Sequence, residues 1–193
     1  VWVRLEGTTT RAGVTYSMRT PEGIRGYVEA NERLVAEVFA NPKRWVPVEI
    51  TFDRPVGLDA FRALVAQANM RVDRYELRGF EADGRTVSVG GGPADGVLIP
   101  EKRLQEFADR AARRSRAYEL AGVYLVVGEI DKAGYEVLSA DDDVFLIDVT
   151  KSVAREEIAR ATDRTIPANQ INVISPYVAL EHLGLTPAGP TQP

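Results

Sequence analysis

The sequence predicts an α+β fold built around a ferredoxin-like core. The spacing of apolar residues changes repeatedly between the period of two that is typical of strands and the period of 3.6 that is typical of helices. Between residues 45 and 130 these segments follow the order strand, helix, strand, strand, helix, strand. This is the split βαβ order of ferredoxin-like sheets, so we expect two helices on one face of an antiparallel sheet.

The composition is that of a typical globular domain. The chain has 193 residues, of which 45% are hydrophobic, and it is long enough to bury a core without covalent staples. It has no cysteine, which excludes disulfides and thiol chemistry. The net charge of −4 argues against electrostatic capture of nucleic acid. No apolar run approaches the length of about 18 residues that a membrane span requires.

Residues 1–44 are predicted to form an N-terminal arm of strands and a helix. The stretches VWVRLEG (1–7) and GVTYSMRT (13–20) have the character of two short strands. Apolar residues recur at helical spacing over Ile24–Phe39, and the Asn-Pro pair that follows stops this helix.

The ferredoxin-like core is predicted to cover residues 45–150. In four of its segments apolar and polar residues alternate or the residues are continuously apolar. These segments are therefore predicted to be strands, at 46–52, 71–80, 86–89 and 123–130. Asp83-Gly84 supplies a hairpin turn between the second and third strands. The nearly all-apolar fourth strand is expected at the centre of the sheet.

The helices of this core follow from apolar stripes at helical spacing. One is predicted at 55–70, and a long one runs from Pro100 to Leu120, with Gly122 ending it. The segments AGYEVLSA and VFLIDV then add a further αβ unit.

Residues 151–193 are predicted to form a C-terminal helical cap and a tail. The stretch SVAREEIARAT forms one helix. A second helix is bounded by Ser175 as N-cap, Pro176 at its first position and Gly184 as C-cap.

The stretch LSADDDVFLIDVT suggests a metal or phosphate site. Carboxylate oxygens suit Mg²⁺, so a metal-dependent hydrolase or phosphatase using Asp143 and Asp148 is one hypothesis. However, Asp141, Asp142 and Asp143 precede the predicted strand, and Thr150 stands where a phosphatase motif would have its second aspartate. The favoured interpretation is a solvated turn between a helix and a strand.

The remaining motifs favour structural roles. The glycine-rich stretch 89–96 lacks the spacing and the lysine of a phosphate-binding loop, so it is predicted to be a plain loop. Arginines 103, 110, 113 and 114 are predicted to form a solvated helix face, with a phosphate or carboxylate patch as the alternative. Tyr75 and Phe80 do not complete the aromatic pattern of an RNA-recognition sheet.

Groups suited to acid-base or nucleophilic catalysis are scarce. His182 is the only histidine and is expected on the surface of the last helix. Ser152 and Lys151 are neighbours in sequence, and such neighbours do not face each other on a helix. We therefore assign no catalytic, cofactor-binding or metal-ligating residue and no cofactor.

Residues 122–149, GVYLVVGEIDKAGYEVLSADDDVFLIDV, resemble the second half of the subtilisin-propeptide domain, peptidase inhibitor family nine. Leu138, Asp141 and Val144 match the Leu-x-x-Asp-x-x-Val pattern of that family. The resemblance implies a strand, a helix and a final strand. It departs from the family at the end, because helix-forming sequence follows where the family leads into a protease.

These observations predict a non-enzymatic binding or protein-interaction module, whose partner is a protein or a small ligand and not nucleic acid. Because the chain begins at Val1, we expect the soluble part of an exported or membrane-anchored bacterial protein, and we favour an extracytoplasmic location over a cytoplasmic one. One alternative is a small-molecule-sensing regulatory domain that forms a homodimer through a sheet edge. The other is the hydrolase or phosphatase described above.

Overall fold

The structure, a computed structural model, describes residues 2–6, 9–13, 19–42, 44–81, 85–113, 118–162, 179–180 and 183. Its side chains are described from residue 19 onward, except that of residue 111.

Within these ranges the chain forms seven strands and five helices, which confirms the α+β class. In chain order they are β1 (Trp2–Glu6), β2 (Thr9–Gly13), α1 (Pro21–Val38), β3 (Val46–Val56), α2 (Leu58–Gln67), β4 (Arg71–Glu81), β5 (Thr86–Gly91), α3 (Glu101–Ala112), β6 (Tyr118–Ile130), α4 (Lys132–Ser139), β7 (Val144–Asp148) and α5 (Thr150–Thr162).

Five of the strands form one sheet in the order β5-β4-β6-β3-β7, and every neighbouring pair is antiparallel. Strands β1 and β2 form a separate antiparallel hairpin. The apolar strand β6 lies at the centre of the large sheet, as the sequence predicts. Because β3 and β4 both run antiparallel to β6, they are parallel to each other, and they form a split βαβ unit with α2.

The strand order does not fit the assignment of β5 and β6 as the third and fourth strands of the predicted ferredoxin-like motif. In that motif the third strand lies between the first two, and here β6 takes this place while β5 lies at the edge beside β4. The apolar character of β6 gives a physical reason. Its inner residues are buried when it has a neighbour on each side, whereas the short and glycine-rich β5 tolerates an edge position.

Helices α2, α3 and α4 cover one face of the sheet. Each contributes a buried side chain to the same core, namely Phe61, Phe107 and Leu138. Helix α1 joins this core through Val35, and Phe39 just beyond its end stacks on Tyr135 of α4 with ring centroids 5.0 Å apart. Within the part of the chain that is described, no helix combines the length and apolarity needed to cross a bilayer.

Some predicted boundaries were wrong. Strand β3 extends to Val56, so the start of the helix predicted at 55–70 belongs to the sheet. Strand β2 lies at Thr9–Gly13, where we predicted no strand before Gly13, and residues 14–18 of the strand predicted at 13–20 lie outside the described residues. Helix α3 ends at Ala112, and Tyr118–Leu120, which we predicted as helix, belong to β6. These residues pair with Gly79–Glu81 of β4, so sheet hydrogen bonding overrides their helical pattern.

Gly122, predicted to end that helix, instead lies inside β6 at an irregularity. Its φ of 138° is a backbone conformation that residues with a side chain rarely adopt. A Cβ atom there would lie 2.0 Å from the carbonyl oxygen of Val56. Glycine is therefore required where β6 passes the end of β3.

Other predicted features lie outside the described residues. These are the Asp83-Gly84 turn and both caps of the last predicted helix. Within that predicted helix Ala179 and Leu180 are helical, and they pack against Ile24 of α1.

Replacing Gly122 with alanine should lower the free energy of unfolding by about 2–4 kcal/mol, because it combines backbone strain with a backbone clash. Urea denaturation measures this. The matched control is Gly57→Ala, since Gly57 has a φ of −56° and nothing within 4 Å of its added Cβ. That change should stay within about 1 kcal/mol of wild type. Equal losses in the two variants would contradict the role given to Gly122.

Candidate functional site

The acidic run forms the turn between α4 and β7, as the sequence predicts. The Asp141 carboxylate accepts a hydrogen bond from the backbone N–H of Asp143 at 3.0 Å. The Asp143 carboxylate in turn pairs with Arg54 at 2.7 Å. The backbone carbonyl of Asp143 accepts a hydrogen bond from the backbone N–H of Asp53 at 3.0 Å. These contacts attach the turn to the end of β3.

Asp143 and Asp148 are not brought together. They lie at opposite ends of β7, five residues apart, and this corresponds to about 16 Å along a strand. Two carboxylates so far apart cannot share one metal ion. In the described ranges, no group of three or more histidine, aspartate or glutamate side chains is placed to hold a metal.

Asp148 instead belongs to a buried polar junction that joins α1, β7 and α5. Only 3% of Asp148 is exposed. Its carboxylate accepts hydrogen bonds from the Tyr27 hydroxyl and from the backbone N–H of Thr150, the latter at 2.7 Å. Since α5 begins at Thr150, the carboxylate also lies at the positive end of that helix. The carboxylate is thus hydrogen-bonded to groups of two neighbouring helices.

Tyr27 is the α1 residue of this junction. Its hydroxyl lies 3.1 Å from Thr150 Oγ1 as well as beside Asp148. Burial raises the pKa of Tyr27 far above its usual value of 10.0, and the negative charge of Asp148 raises it further. The phenol therefore stays protonated and acts as a hydrogen-bond donor.

Asn31, one turn further along α1, caps the edge of β7. Its side-chain amide donates to the carbonyl of Ile147 at 2.7 Å and accepts from the N–H of Val149 at 2.9 Å. This pair of bonds takes the place of a neighbouring strand. Only 2% of Asn31 is exposed, so these backbone groups have no ready replacement partner in water.

The first residues of α5 contact β3. Lys151 forms an ion pair with the buried carboxylate of Glu49 at 2.6 Å, and the Ser152 hydroxyl donates to the carbonyl of Pro47. Lys151 and Ser152 thus each contact a residue of β3. Both side chains position the helix.

The next turns of α5 line a cleft of about 280 Å³ against the start of β3. We call this the α5/β3 cleft. Its lining consists of Arg44, Trp45, Pro47, Glu129, Ser152, Arg155, Glu156 and Ala159. The helical members stand at the spacing i, i+3, i+4 and i+7, which is one face of α5.

The charges around the α5/β3 cleft are paired with one exception. Arg44 pairs with Glu156. Glu129 lies 3.7 Å from Arg71, which stands outside the lining. Arg155 is half-buried, and in the described part of the chain it has no hydrogen-bond or ion-pair partner. Arg155 is therefore the one charged group of the lining that has no partner among the described residues.

The other motifs of the sequence do not join this cleft. In the predicted arginine face, Arg103 pairs with Glu106 and Arg110 donates to the carbonyl of Ser88 on the edge strand β5. The glycine-rich stretch folds back on itself through two backbone hydrogen bonds between Ala94 and Val97. His182 and Arg114 lie outside the described residues.

Sequence reasoning missed Trp45 and Arg155. The available signal was weak. Trp45 directly precedes a strand, and Arg155 shares a helix face with the small residues Ser152 and Ala159. Small residues on a charged helix face indicate close approach to another element, but the sequence does not say which element.

Comparison with protein-family models, with curated proteins and with solved structures found no match to this chain. The likeness of residues 122–149 to the subtilisin-propeptide family stays a sequence-based hypothesis, although the strand, helix and strand that it implies are present as β6, α4 and β7.

Asn31→Ala should lower the free energy of unfolding by about 2–5 kcal/mol, since it leaves two buried backbone groups without partners. Chemical denaturation followed by circular dichroism measures this. Gln67→Ala removes an amide from an exposed position and should change stability by less than about 0.5 kcal/mol. A loss below about 1 kcal/mol for Asn31→Ala would show that its bonds to β7 do not matter.

The raised pKa of Tyr27 predicts a loss of stability at high pH. Above about pH 10 the unfolded tyrosine releases a proton that the folded one retains, so the free energy of unfolding falls as the pH rises. Tyr27→Phe should remove about 1.4 kcal/mol per pH unit from this slope between roughly pH 10 and 11.5. Tyr135→Phe, in which the pKa of Tyr27 is untouched, serves as the control. Identical slopes for wild type and Tyr27→Phe would refute the prediction.

Proposed function

We propose that this chain is a non-enzymatic binding module, and that it binds a small ligand bearing a carboxylate or a phosphate in the α5/β3 cleft. The observation that carries the proposal is Arg155, a half-buried cation without a partner among the described residues. The ligand would supply the missing negative charge.

Burial of an uncompensated charge is costly, and proteins usually pair such groups. The guanidinium group of Arg155 presents a planar fork of donors that matches carboxylate and phosphate oxygens. In the same cleft Arg44 is already held by Glu156, so Arg155 is the group left to contact an incoming anion.

The size of the cleft supports a small ligand. Its volume of about 280 Å³ lies just below the range of about 300–1,000 Å³ that is usual for drug-sized molecules. Its groups support binding more than catalysis. The Ser152 hydroxyl donates to the carbonyl of Pro47, and the carboxylates of Glu129 and Glu156 pair with arginines. Among the described residues of the lining, there is therefore neither a free base nor an activated nucleophile.

The regulatory-domain alternative uses the same binding event and adds a homodimer through a sheet edge. It rests on the relation to ferredoxin-like sheets, which is supported by the split βαβ unit and by the neighbour order β4-β6-β3-β7, in which β6, α4 and β7 would complete the motif. Because Asn31 caps β7, a dimer of this kind would have to pair through β5. The extracytoplasmic location stays a prediction, and no observation favours the hydrolase or phosphatase.

The proposal is tested by titrating inorganic phosphate and acetate into the ¹⁵N-labelled protein at constant ionic strength. We expect at least one anion to shift the amide signals of α5 and of the start of β3, with a Kd on the order of 1 mM. Arg155→Gln should weaken this binding by about 10-fold or more, because the charge-assisted hydrogen bonds are lost.

The matched control is Arg160→Gln, which removes the same charge from an exposed position of the same helix. It should leave the Kd within about 2-fold of wild type, because exposed charges are screened. Two results would overturn the proposal: neither anion binds to the wild type, or Arg160→Gln weakens binding as much as Arg155→Gln.

A further inference from the structure

The geometry points to a more specific ligand: one whose anionic group is attached to a flat ring that stacks on Trp45. This inference rests on the proposed function, because it assumes that Arg155 binds the anion. It adds the class of molecule, an aromatic acid or an aryl phosphate.

The indole ring of Trp45 borders the α5/β3 cleft and is covered by Arg71. Trp45 lines the α5/β3 cleft and is only half-buried. The guanidinium carbon of Arg71 lies over the ring at 3.6 Å from its centroid, and Arg71 is itself held near Glu129. Since Arg71 does not line the cleft, it holds the indole from outside and leaves another part of the ring to face the cleft.

The lining of the cleft combines apolar and charged side chains. Trp45, Pro47 and Ala159 supply apolar surface, and Arg155 supplies a cation from α5. A bare anion would contact the cation and leave the apolar surface in contact with water. A ring joined to the anion would cover that surface as well, and aromatic rings pack favourably against an indole.

The contacts between α5 and β3 hold the two sides of the cleft together. Helix α5 is attached through Lys151 to Glu49 and through Ser152 to Pro47, and Trp45 directly precedes the strand that contains Pro47. The distance between the aromatic surface and the cation is therefore set by the packing of α5 on β3. A fixed spacing of this kind selects ligands by the distance between ring and anion.

The test compares ring-bearing and methyl-bearing versions of the same anion. The pairs are phenyl phosphate with methyl phosphate, and benzoate with acetate. Binding is followed in the Trp2→Phe variant, where Trp45 is the remaining tryptophan of the two in the chain and reports stacking by its fluorescence. We expect the ring-bearing anion to bind about 5- to 10-fold more tightly and to change the Trp45 emission, as expected for an added aromatic contact.

Trp45→Leu, monitored by NMR, keeps apolar bulk but removes the aromatic ring. It should abolish the preference for the ring-bearing anion while phosphate or acetate still binds within about 3-fold of wild type. Equal affinities for the two members of each pair in wild type would overturn the ring inference and leave the proposed function intact. A preference that persists in a folded Trp45→Leu would overturn it as well. Absence of any anion binding would overturn the proposed function itself.

If Trp45→Leu does not fold, the comparison in wild type still decides. Benzyl alcohol, which has the ring and no charge, should bind more weakly than either ring-bearing anion by about 10-fold or more. Equal binding of benzyl alcohol would show that the site selects apolar molecules, which contradicts the two-part recognition proposed here.

Discussion

The position of α5 depends on a buried carboxylate. Asp148 ends β7, accepts a hydrogen bond from Tyr27 of α1, and accepts another from the first N–H of α5. A buried charge is tolerated only when such partners are in place, so the three elements must assemble together. Asn31 adds two hydrogen bonds to the backbone around Asp148 and closes the edge of the sheet. This junction determines where the chain turns out of the sheet and in which direction α5 runs.

The α5/β3 cleft follows from that direction. After Thr150 has bonded to Asp148, Lys151 and Ser152 contact Glu49 and Pro47 in the first half of β3. One helical turn further, Arg155 and Glu156 line the cleft together with Arg44 and Trp45, which directly precede β3. The same helix thus serves a structural role in its first turn and lines a cleft in its second.

The sequence predicted those features that depend on local pattern. The central position of β6 followed from its continuous apolar residues, and the turn at Asp141–Asp143 followed from the position of the carboxylates before their strand. It could not predict the strand order, because a hairpin such as β4–β5 can place its second strand on either side of the first. It also misplaced Tyr118–Leu120, whose helical pattern gave way to pairing with β4. Asn31 could not be identified, because its partners lie more than 100 residues away in the sequence. Arg155 could not be identified either, because its role depends on the absence of a partner among the described residues.

The distribution of polar groups argues for binding over catalysis. Tyr27, Glu49 and Asp148 have the chemistry of a catalytic site, but each is at most 5% exposed and each hydrogen-bonds to another group of the junction. A substrate could reach them only by displacing α1 or α5, which would expose the core beneath. Arg155 has the opposite character, since it lines a cleft and has no partner among the described residues. An arginine in that setting presents a fork of hydrogen-bond donors that can hold an anion. Among the described residues, Tyr27, Glu49 and Asp148 are therefore buried away from the α5/β3 cleft, whereas Arg155 lines it.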